Sequence, residues 1–328
     1  MPSHTHDVLA IGNALVDVIT TAEPEFLRTH AIPKGTMRLI AADEAERLYA
    51  LMGSGREVSG GSAANTVAGV AALGGRPRFV GRVARDQLGE VFAHDIAATG
   101  VAFDVAPMAD GPPTGRCLIV VTPDGDRTMS TYLGACQELS EADIDPAAVE
   151  ASAILYLEGY LWDPPAPRAA MRRAIAIARA AGRKVAFTLS DVFCVEGHRA
   201  DFRDLLAGHV DVMFGNENEV RALYRTDDLD TAMTELSRHA AVSVVTRSAH
   251  GAVVVAGGER IAVPAAAVAR VVDTTGAGDL FAGGFLFGLA QGRSLTDCAR
   301  IGGIAAAEII GHYGARPEAD LKALTAAV

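Results

Sequence analysis

Short apolar runs that alternate with helical stretches leave this chain few architectures. Ala153-Ile154-Leu155-Tyr156-Leu157 reads as a strand, and residues 165–181 as a helix ended by Gly182. Lys184-Val185-Ala186-Phe187-Thr188-Leu189 is the next strand, with a short helix expected at 202–206. Residues 210–214 and 243–246 are further strands, each preceded by helical sequence. Apolar runs of this length suit strands buried on both faces. Strands separated by helices join through right-handed crossovers, which lays them parallel with helices on both sides. The expected class is α/β, three layers (α/β/α) around a mostly parallel central sheet.

The N-terminal part keeps the same rhythm. Val8-Leu9-Ala10-Ile11 is a buried strand, broken at Gly12-Asn13 and resuming at 15–19. Helices are expected at 42–52, after the Ser59-Gly60-Gly61 turn as far as Leu73, and at 86–99, with a strand at 78–81. The texture then changes. Residues 101–105, 115–121 and 127–133 are strand-like, separated by Pro112-Pro113 and Pro123-Asp124-Gly125-Asp126 turns and by no helix. Such an insert can form a small sheet over the carboxyl edge of the main one, where a lid belongs. One domain, 1–328, is expected, with the lid drawn from about 14–40 and 101–135. A hairpin across Gly257-Gly258 joins 252–255 to 261–263.

Charge narrows the partners. Lys plus Arg number 29 against 40 for Asp plus Glu, a net charge of −11. With no basic cluster, neither nucleic acid nor an anionic membrane is expected as partner. Phosphate remains open, because backbone dipoles can hold it locally. Cys117, Cys136, Cys194 and Cys298 are scattered without C-x-x-C or metal spacing, as thiols of a reducing compartment are. The start, with His4 and His6, lacks a signal-peptide pattern, and no apolar run reaches membrane-span length. A cytoplasmic location is expected.

The chemistry concentrates in Asp273-Thr274-Thr275-Gly276-Ala277-Gly278-Asp279, which leads into an apolar helix reaching about Leu289. Two glycines around one alanine let the backbone bend and leave N–H groups uncovered at a helix N-terminus. Orphan donors and the macrodipole both favour an anion there. Asp279 would repel a phosphate unless its task is to take a proton from the attacking group. Phosphoryl transfer with Asp279 as general base follows. An acidic residue in a first helical turn is also an ordinary stabilising feature, so the rest of the chain has to decide. A P-loop is excluded, since no Lys-Ser/Thr follows the turn, and the third glycine of a dinucleotide fingerprint is misplaced.

Polar groups also stand at strand ends, where open parallel sheets bind ligands. Asn13 with Asp17, Gly60-Gly61 with Asn65, Asn216 with Glu219, and Thr246-Arg247-Ser248 are such groups. Asn13 equally suits an Asx turn and Asp17 a solvent-facing position. Glu219 suits Mg²⁺, directly or through water, or the closing of a helix cap.

Together these segments resemble the ribokinase-like (PfkB) family of sugar and nucleoside kinases, from Gly12 to about Arg316. The specific parts are Gly60-Gly61-Ser62-Ala63-Ala64-Asn65, the Asp273 to Asp279 segment, and Asn216 to Glu219 as the N-x-x-E element. The resemblance implies a small β-lid on the three-layer domain, ATP as donor and Mg²⁺ as cofactor, held by Glu219 through water. It also implies that Asp279 deprotonates the acceptor hydroxyl while the N–H groups of Gly276, Ala277 and Gly278 hold the transferring group.

Within the family, the bacterial adenosine-kinase-like branch is similar at Gly12-Asn13-Ala14-Leu15-Val16-Asp17, Asp126-Arg127-Thr128-Met129, Leu157-Glu158-Gly159-Tyr160 and Thr188-Leu189-Ser190-Asp191. That likeness implies Asp17 on the ribose hydroxyls, with Asn13, Gly60, Gly61 and Asn65 around the sugar. Asn216, Thr246, Ser248 and Gly251 would line the ATP site, with Gly303 near the adenine. Asp273, Thr275 and Gly314 resemble a monovalent-cation loop, with K⁺ the candidate ion. One position departs: many adenosine kinases have asparagine where Thr275 stands, and threonine is usual in sugar kinases. A purine needs an aromatic or broad apolar face, for which Phe103, Tyr132, Leu133 and Tyr160 are candidates.

The expected activity is ATP-dependent transfer of the γ-phosphoryl group to a primary hydroxyl of a ribose-bearing small molecule, adenosine to AMP. A ribokinase- or fructokinase-like sugar kinase is the alternative within the class. A non-catalytic nucleoside or sugar sensor is the alternative outside it, against which the retained Asp279 argues. Monomer and homodimer are both open, because lid strands can pair between chains.

Overall fold

The alternation of side chains along β1 (His6–Ile11) sets the layers. Val8 and Ala10 enter one hydrophobic cluster, Leu9 and Ile11 a second on the opposite face. A strand buried on both sides needs helices on both sides. The computed structural model describes residues 4–328. After β1 come β2 (Leu15–Thr21), α1 (Pro24–Thr29), β3 (Met37–Leu39), α2 (Ala42–Leu51) and β4 (Arg56–Gly60). Next are α3 (Ser62–Ala72), β5 (Pro77–Val80), α4 (Gln87–Ala98), β6 (Gly115–Val121) and β7 (Arg127–Tyr132). The α/β rhythm continues with α5 (Pro146–Glu150), β8 (Ser152–Glu158), α6 (Pro165–Ala180), β9 (Lys184–Thr188) and α7 (Val192–Gly208). Then follow β10 (Val212–Asn216), α8 (Glu217–Tyr224), α9 (Leu229–Leu236), β11 (Val242–Thr246), β12 (Ala252–Ala256) and β13 (Glu259–Val263). Three helices close the chain: α10 (Ala277–Ala290), α11 (Leu295–Ile309) and α12 (Leu321–Thr325).

The large sheet has the order β13-β12-β11-β10-β9-β8-β1-β5. It is parallel from β11 to β5, and β12 and β13 are antiparallel additions at one edge. Helices α3, α4, α10 and α11 pack on one face, and α5 to α9 on the other. This is the ribokinase-like α/β architecture. Among the described residues, no helix is long and apolar enough to cross a membrane.

A smaller sheet has the order β3-β7-β6-β2-β4. It includes β4, which lies outside the stretches expected to supply it. The short sequence Arg56-Glu57-Val58-Ser59-Gly60 has little apolar content, and only its pairing with β2 makes it a strand. One face of this sheet, with Val16, Val18, Leu118 and Val120, packs into the main core. The other carries Cys117, Ile119 and Val121 in a cluster of its own. Residues 101–105 are not a strand: Ala102 makes an isolated bridge to Arg78, and Phe103 turns inward against Phe79 and Phe92. The helix expected at 202–206 is the end of the longer α7, which kinks at His198 (φ −128°).

Phe285 of α10 is fully buried and meets Phe214 of β10 edge to face at 5.4 Å. Phe285→Ala is expected to lower stability by about 3–5 kcal/mol, read as a shift in the denaturant midpoint.

Candidate active site

Two helix N-termini point at one cavity of about 710 Å³ between the sheets. Neither has a capping side chain of its own, because Gly61 and Gly276 occupy the N-cap positions. They are served differently. The N–H of Ala63 in the first turn of α3 donates to Glu158 Oε2 at 2.7 Å, so α3 is capped from a distant strand. At α10, Gly276 is left-handed (φ 78°), and a Cβ there would come within 2.8 Å of the Ala315 side chain. Ala277 N–H turns back to the Thr274 carbonyl at 3.2 Å. The N–H groups of Gly276 and Gly278 meet no acceptor among the described residues, and both residues line the cavity. Of the three donors expected from sequence, two thus remain without an acceptor beside the cavity.

Asp279, in the first turn of α10, faces the same cavity. Its Oδ1 accepts from Ser62 Oγ at 2.7 Å and its Oδ2 from Asn65 Nδ2 at 2.9 Å. Burial raises its pKa, while these two hydrogen bonds and the charge of Arg316 pull the other way. Asp17 lies on the cavity face of β2. Burial pushes its carboxyl to about 6, against the opposing pull of Arg316 and Arg127. Gly60 is the reason the carboxylate fits: a Cβ there would lie 2.5 Å from the carboxyl carbon. Gly60 therefore stands behind Asp17, while Asn13, Gly61 and Asn65 line the wall.

Two further residues organise this region, and neither was singled out as a site residue. Glu158, at the end of β8, is fully buried and accepts from Asn13 N at 2.8 Å, Asn13 Nδ2 at 2.7 Å and Ala63 N. Burial pushes its pKa to about 7, with those N–H donors acting in the opposite direction. The visible signal was an acidic residue closing an apolar strand. Arg316 donates Nη1 to Asn65 Oδ1, which leaves the Asn65 amide nitrogen to face Asp279. Its Nη2 donates to Ser59 O at 2.7 Å and Ser59 Oγ at 2.9 Å. Ser59 in turn donates N–H and Oγ to Asp95, at 2.7 and 2.6 Å. Nothing local in the sequence marked Arg316.

On the donor side, Asn216, Glu219 and Thr246 line the cavity. Asn216 Oδ1 accepts from the N–H groups of Asn218 and Glu219, and Glu219 Oε2 accepts from Asn216 N at 3.0 Å. The pair is a complete capping box, which is the helix-cap reading of Glu219. Burial pushes the Glu219 pKa to about 7, lowered by the Asn216 N–H and raised by Asp191. Ser248 and Gly251 lie in the turn from β11 to β12, and Gly303 in α11, none of them on the cavity wall. Asp273, Thr275 and Gly314 do come together. Asp273 Oδ1 accepts from Thr275 N and Oγ1, and its Oδ2 from Gly314 N at 3.1 Å; Arg127 Nη1 forms an ion pair with Oδ2 at 2.9 Å.

The four candidates for a base platform separate. Phe103 is taken up with Phe92, at 5.3 Å and edge to face, and Tyr132 with the Arg116 guanidinium. Leu133 and Tyr160 line the cavity, joined by Leu39, Ile119 and Met129 from the smaller sheet.

This fold, with these groups around one cavity, is that of a phosphotransferase with an alcohol acceptor. Residues 34–321 match the pfkB family carbohydrate kinase, and the chain belongs to that family. A crystal structure of adenosine kinase from Sinorhizobium meliloti is 51% identical, with a TM-score of 0.92, covering 98% of this chain and 99% of that one. A probable sugar kinase from Rhizobium etli is 47% identical, with a TM-score of 0.93, covering 99% and 98%. Adenosine kinase 1 of Arabidopsis thaliana is 28% identical over 332 residues, 94% of each chain.

Arg316→Met leaves the acceptors on Asn65 and Ser59 unsatisfied and removes a cation beside Asp17. Stability is expected to fall by about 1–3 kcal/mol. The Asp17 carboxyl is expected to titrate above its value of about 6, followed by carboxyl-carbon NMR.

Proposed function

We propose that this protein is an adenosine kinase, transferring the γ-phosphoryl group of ATP to the 5′-hydroxyl of adenosine and giving AMP. The observation that carries the reading is the placement of Asp17 and Asp279 on one cavity, with an apolar wall from Leu39, Ile119, Met129 and Leu133 beside Asp17. A ribose held by Asp17, Asn13, Gly61 and Asn65, with Gly60 giving Asp17 its room, presents its primary hydroxyl toward Asp279. The apolar wall receives the base. The 51% identity to the Sinorhizobium meliloti adenosine kinase supports the same acceptor. Thr275 and the 47% identical probable sugar kinase favour a second reading, a ribokinase- or fructokinase-like sugar kinase.

Asp279 accepts the proton of the attacking hydroxyl. Ser62 and Asn65 hold its carboxylate in place, and its raised pKa strengthens it as a base near neutrality. The N–H groups of Gly276 and Gly278, with Ala277 between them, stabilise charge on the transferring group. Asn216, Thr246, Ser248, Gly251 and Gly303 take the ATP, from its phosphates outward to the adenine. Glu219 would hold Mg²⁺ through water, a single carboxylate sufficing for a hard ion that binds mainly to phosphates and water. When bound, that ion neutralises developing phosphate charge. The smaller sheet acts as a lid, inserted from about 14–40 and 101–135 with β4 added, and excludes water from the acceptor. The buried, unpaired cysteines suit a cytoplasmic protein. The exposed lid edges allow a monomer or a homodimer, and neither nucleic acid nor membrane is a partner.

ATP consumption assayed across adenosine, other nucleosides, ribose and fructose tests the reading. Turnover on free sugars alone selects the second reading, and no turnover on any acceptor removes both. Asp279→Asn is expected to lower kcat by about 10²–10⁴-fold, the range of a lost general base, with ATP binding retained in calorimetry. Protonation turns one Asp17 oxygen into a donor and weakens its acceptance of hydroxyl donors. The kcat/KM for adenosine is therefore expected to fall as pH drops through about 6, where Asp17 gains its proton. Asp17→Ala should abolish that limb and raise the adenosine KM, leaving the ATP KM near the wild-type value.

A further inference from the structure

The loop that resembles a monovalent-cation site already contains a cation, and it belongs to the chain. Asp273 and Arg127 form an ion pair at 2.9 Å in which each side chain is only 6% exposed. An ionised carboxylate has about four lone-pair sites; on Asp273 three accept hydrogen bonds, and the Arg127 guanidinium lies against Oδ2 as the ion partner. Oδ1 accepts from Thr275 N at 3.0 Å and Thr275 Oγ1 at 2.8 Å. Oδ2 accepts from Gly314 N at 3.1 Å and is the atom paired with Arg127 Nη1. The same Nη1 lies 3.4 Å from Thr275 Oγ1, so the guanidinium is centred on the group the loop would offer to an ion. Tyr313 covers its outer side, with the guanidinium carbon 5.7 Å from the ring centroid. A K⁺ ion bound at Asp273 would have to displace donors that already satisfy it and lie beside a buried positive charge. Asp273, Thr275 and Gly314 as arranged do not fit the ion.

We propose that Arg127 replaces the monovalent cation of this loop, so that the anion turn is held in shape without K⁺. This rests on the phosphoryl-transfer reading of the turn. Arg127 is a positioning residue: its ion pair fixes Asp273, Asp273 fixes the N–H and hydroxyl of Thr275, and Thr275 immediately precedes Gly276. It opens β7 and pairs there with Val121 of β6, so the smaller sheet delivers the charge to the turn. A diffusible ion would stabilise the turn wherever the smaller sheet lay. A tethered guanidinium does so only when that sheet is in place, which couples the turn's geometry to it.

The test compares K⁺ with tetramethylammonium at equal ionic strength, on the wild-type protein and on Arg127→Met, by ATP-consumption rate with adenosine and by thermal melting. The wild-type rate and melting temperature are expected to be the same in both salts, since an ion that does not bind the folded state cannot shift it. Arg127→Met is expected to lose about 10²-fold in rate without K⁺, the size of one lost charge-stabilising contact. K⁺ should restore at least part of that rate and raise the variant's melting temperature. Wild-type protein accelerated about tenfold by K⁺, or melting higher in it, overturns the proposal. So does a folded Arg127→Met protein indifferent to K⁺ in both measurements. If the variant does not fold, the wild-type arms decide alone. If no acceptor is phosphorylated in either salt, the kinase reading fails, and melting still settles whether K⁺ binds.

Discussion

The fully buried carboxylate of Glu158 joins the parts of the molecule on which the site depends. It stands at the carboxyl end of β8, within the large sheet, and accepts hydrogen bonds from Asn13, two residues past the end of β1, and from the first turn of α3. A buried carboxylate is costly unless its lone pairs are filled. Here the donors are backbone N–H groups that would themselves be orphaned, those of Asn13 and Ala63. The arrangement fixes the direction of α3 relative to the sheet. Asn65 and Ser62 lie on the first turns of that helix, and through them so does the position of Asp279.

Around this anchor the chain places three acidic groups on one cavity, Asp17, Asp279 and Glu219, and raises the pKa of each by burial. Arg316 offsets the first two. Arg127 adds to its effect on Asp17 from the opposite element, β7. Neither arginine is a solvent-facing charge: both are enclosed beside buried carboxylates, so their effect is little screened by salt. The acidity of Asp17 and Asp279 is thus set by burial and moderated by residues from the smaller sheet and the C-terminal segment, elements with no local reason in sequence to meet.

Much of the architecture was legible because buried parallel strands advertise themselves as uninterrupted apolar runs, as at 153–157 and 184–189. The anion turn was legible because glycine spacing and a following apolar helix leave little else for that segment to do. β4 was not, since Arg56-Glu57-Val58-Ser59-Gly60 becomes a strand through pairing alone. Residues 101–105 misled in the opposite direction: their alternation matched a strand, but burial of Phe103 among aromatic rings outweighed pairing. The first half of α7 was hidden by Gly197 and by the kink at His198.

The site divides along the same line. Asp17, Asn65, Glu219 and Asp279 stood out in sequence as polar residues at strand ends and helix starts, and the structure brings all four to one cavity. What sequence alone determined was the three-layer class and the glycine turn that opens α10 with Asp279 in its first turn. Tertiary structure decided how those residues are charged and held. Glu158 caps α3 across 95 positions, Arg316 orients Asn65 across 251, and Arg127 fills the Asp273 loop across more than a hundred. The physical reason is the range of the forces. Propensity and periodicity act over a few neighbouring residues, whereas the satisfaction of a buried charge depends only on distance in space.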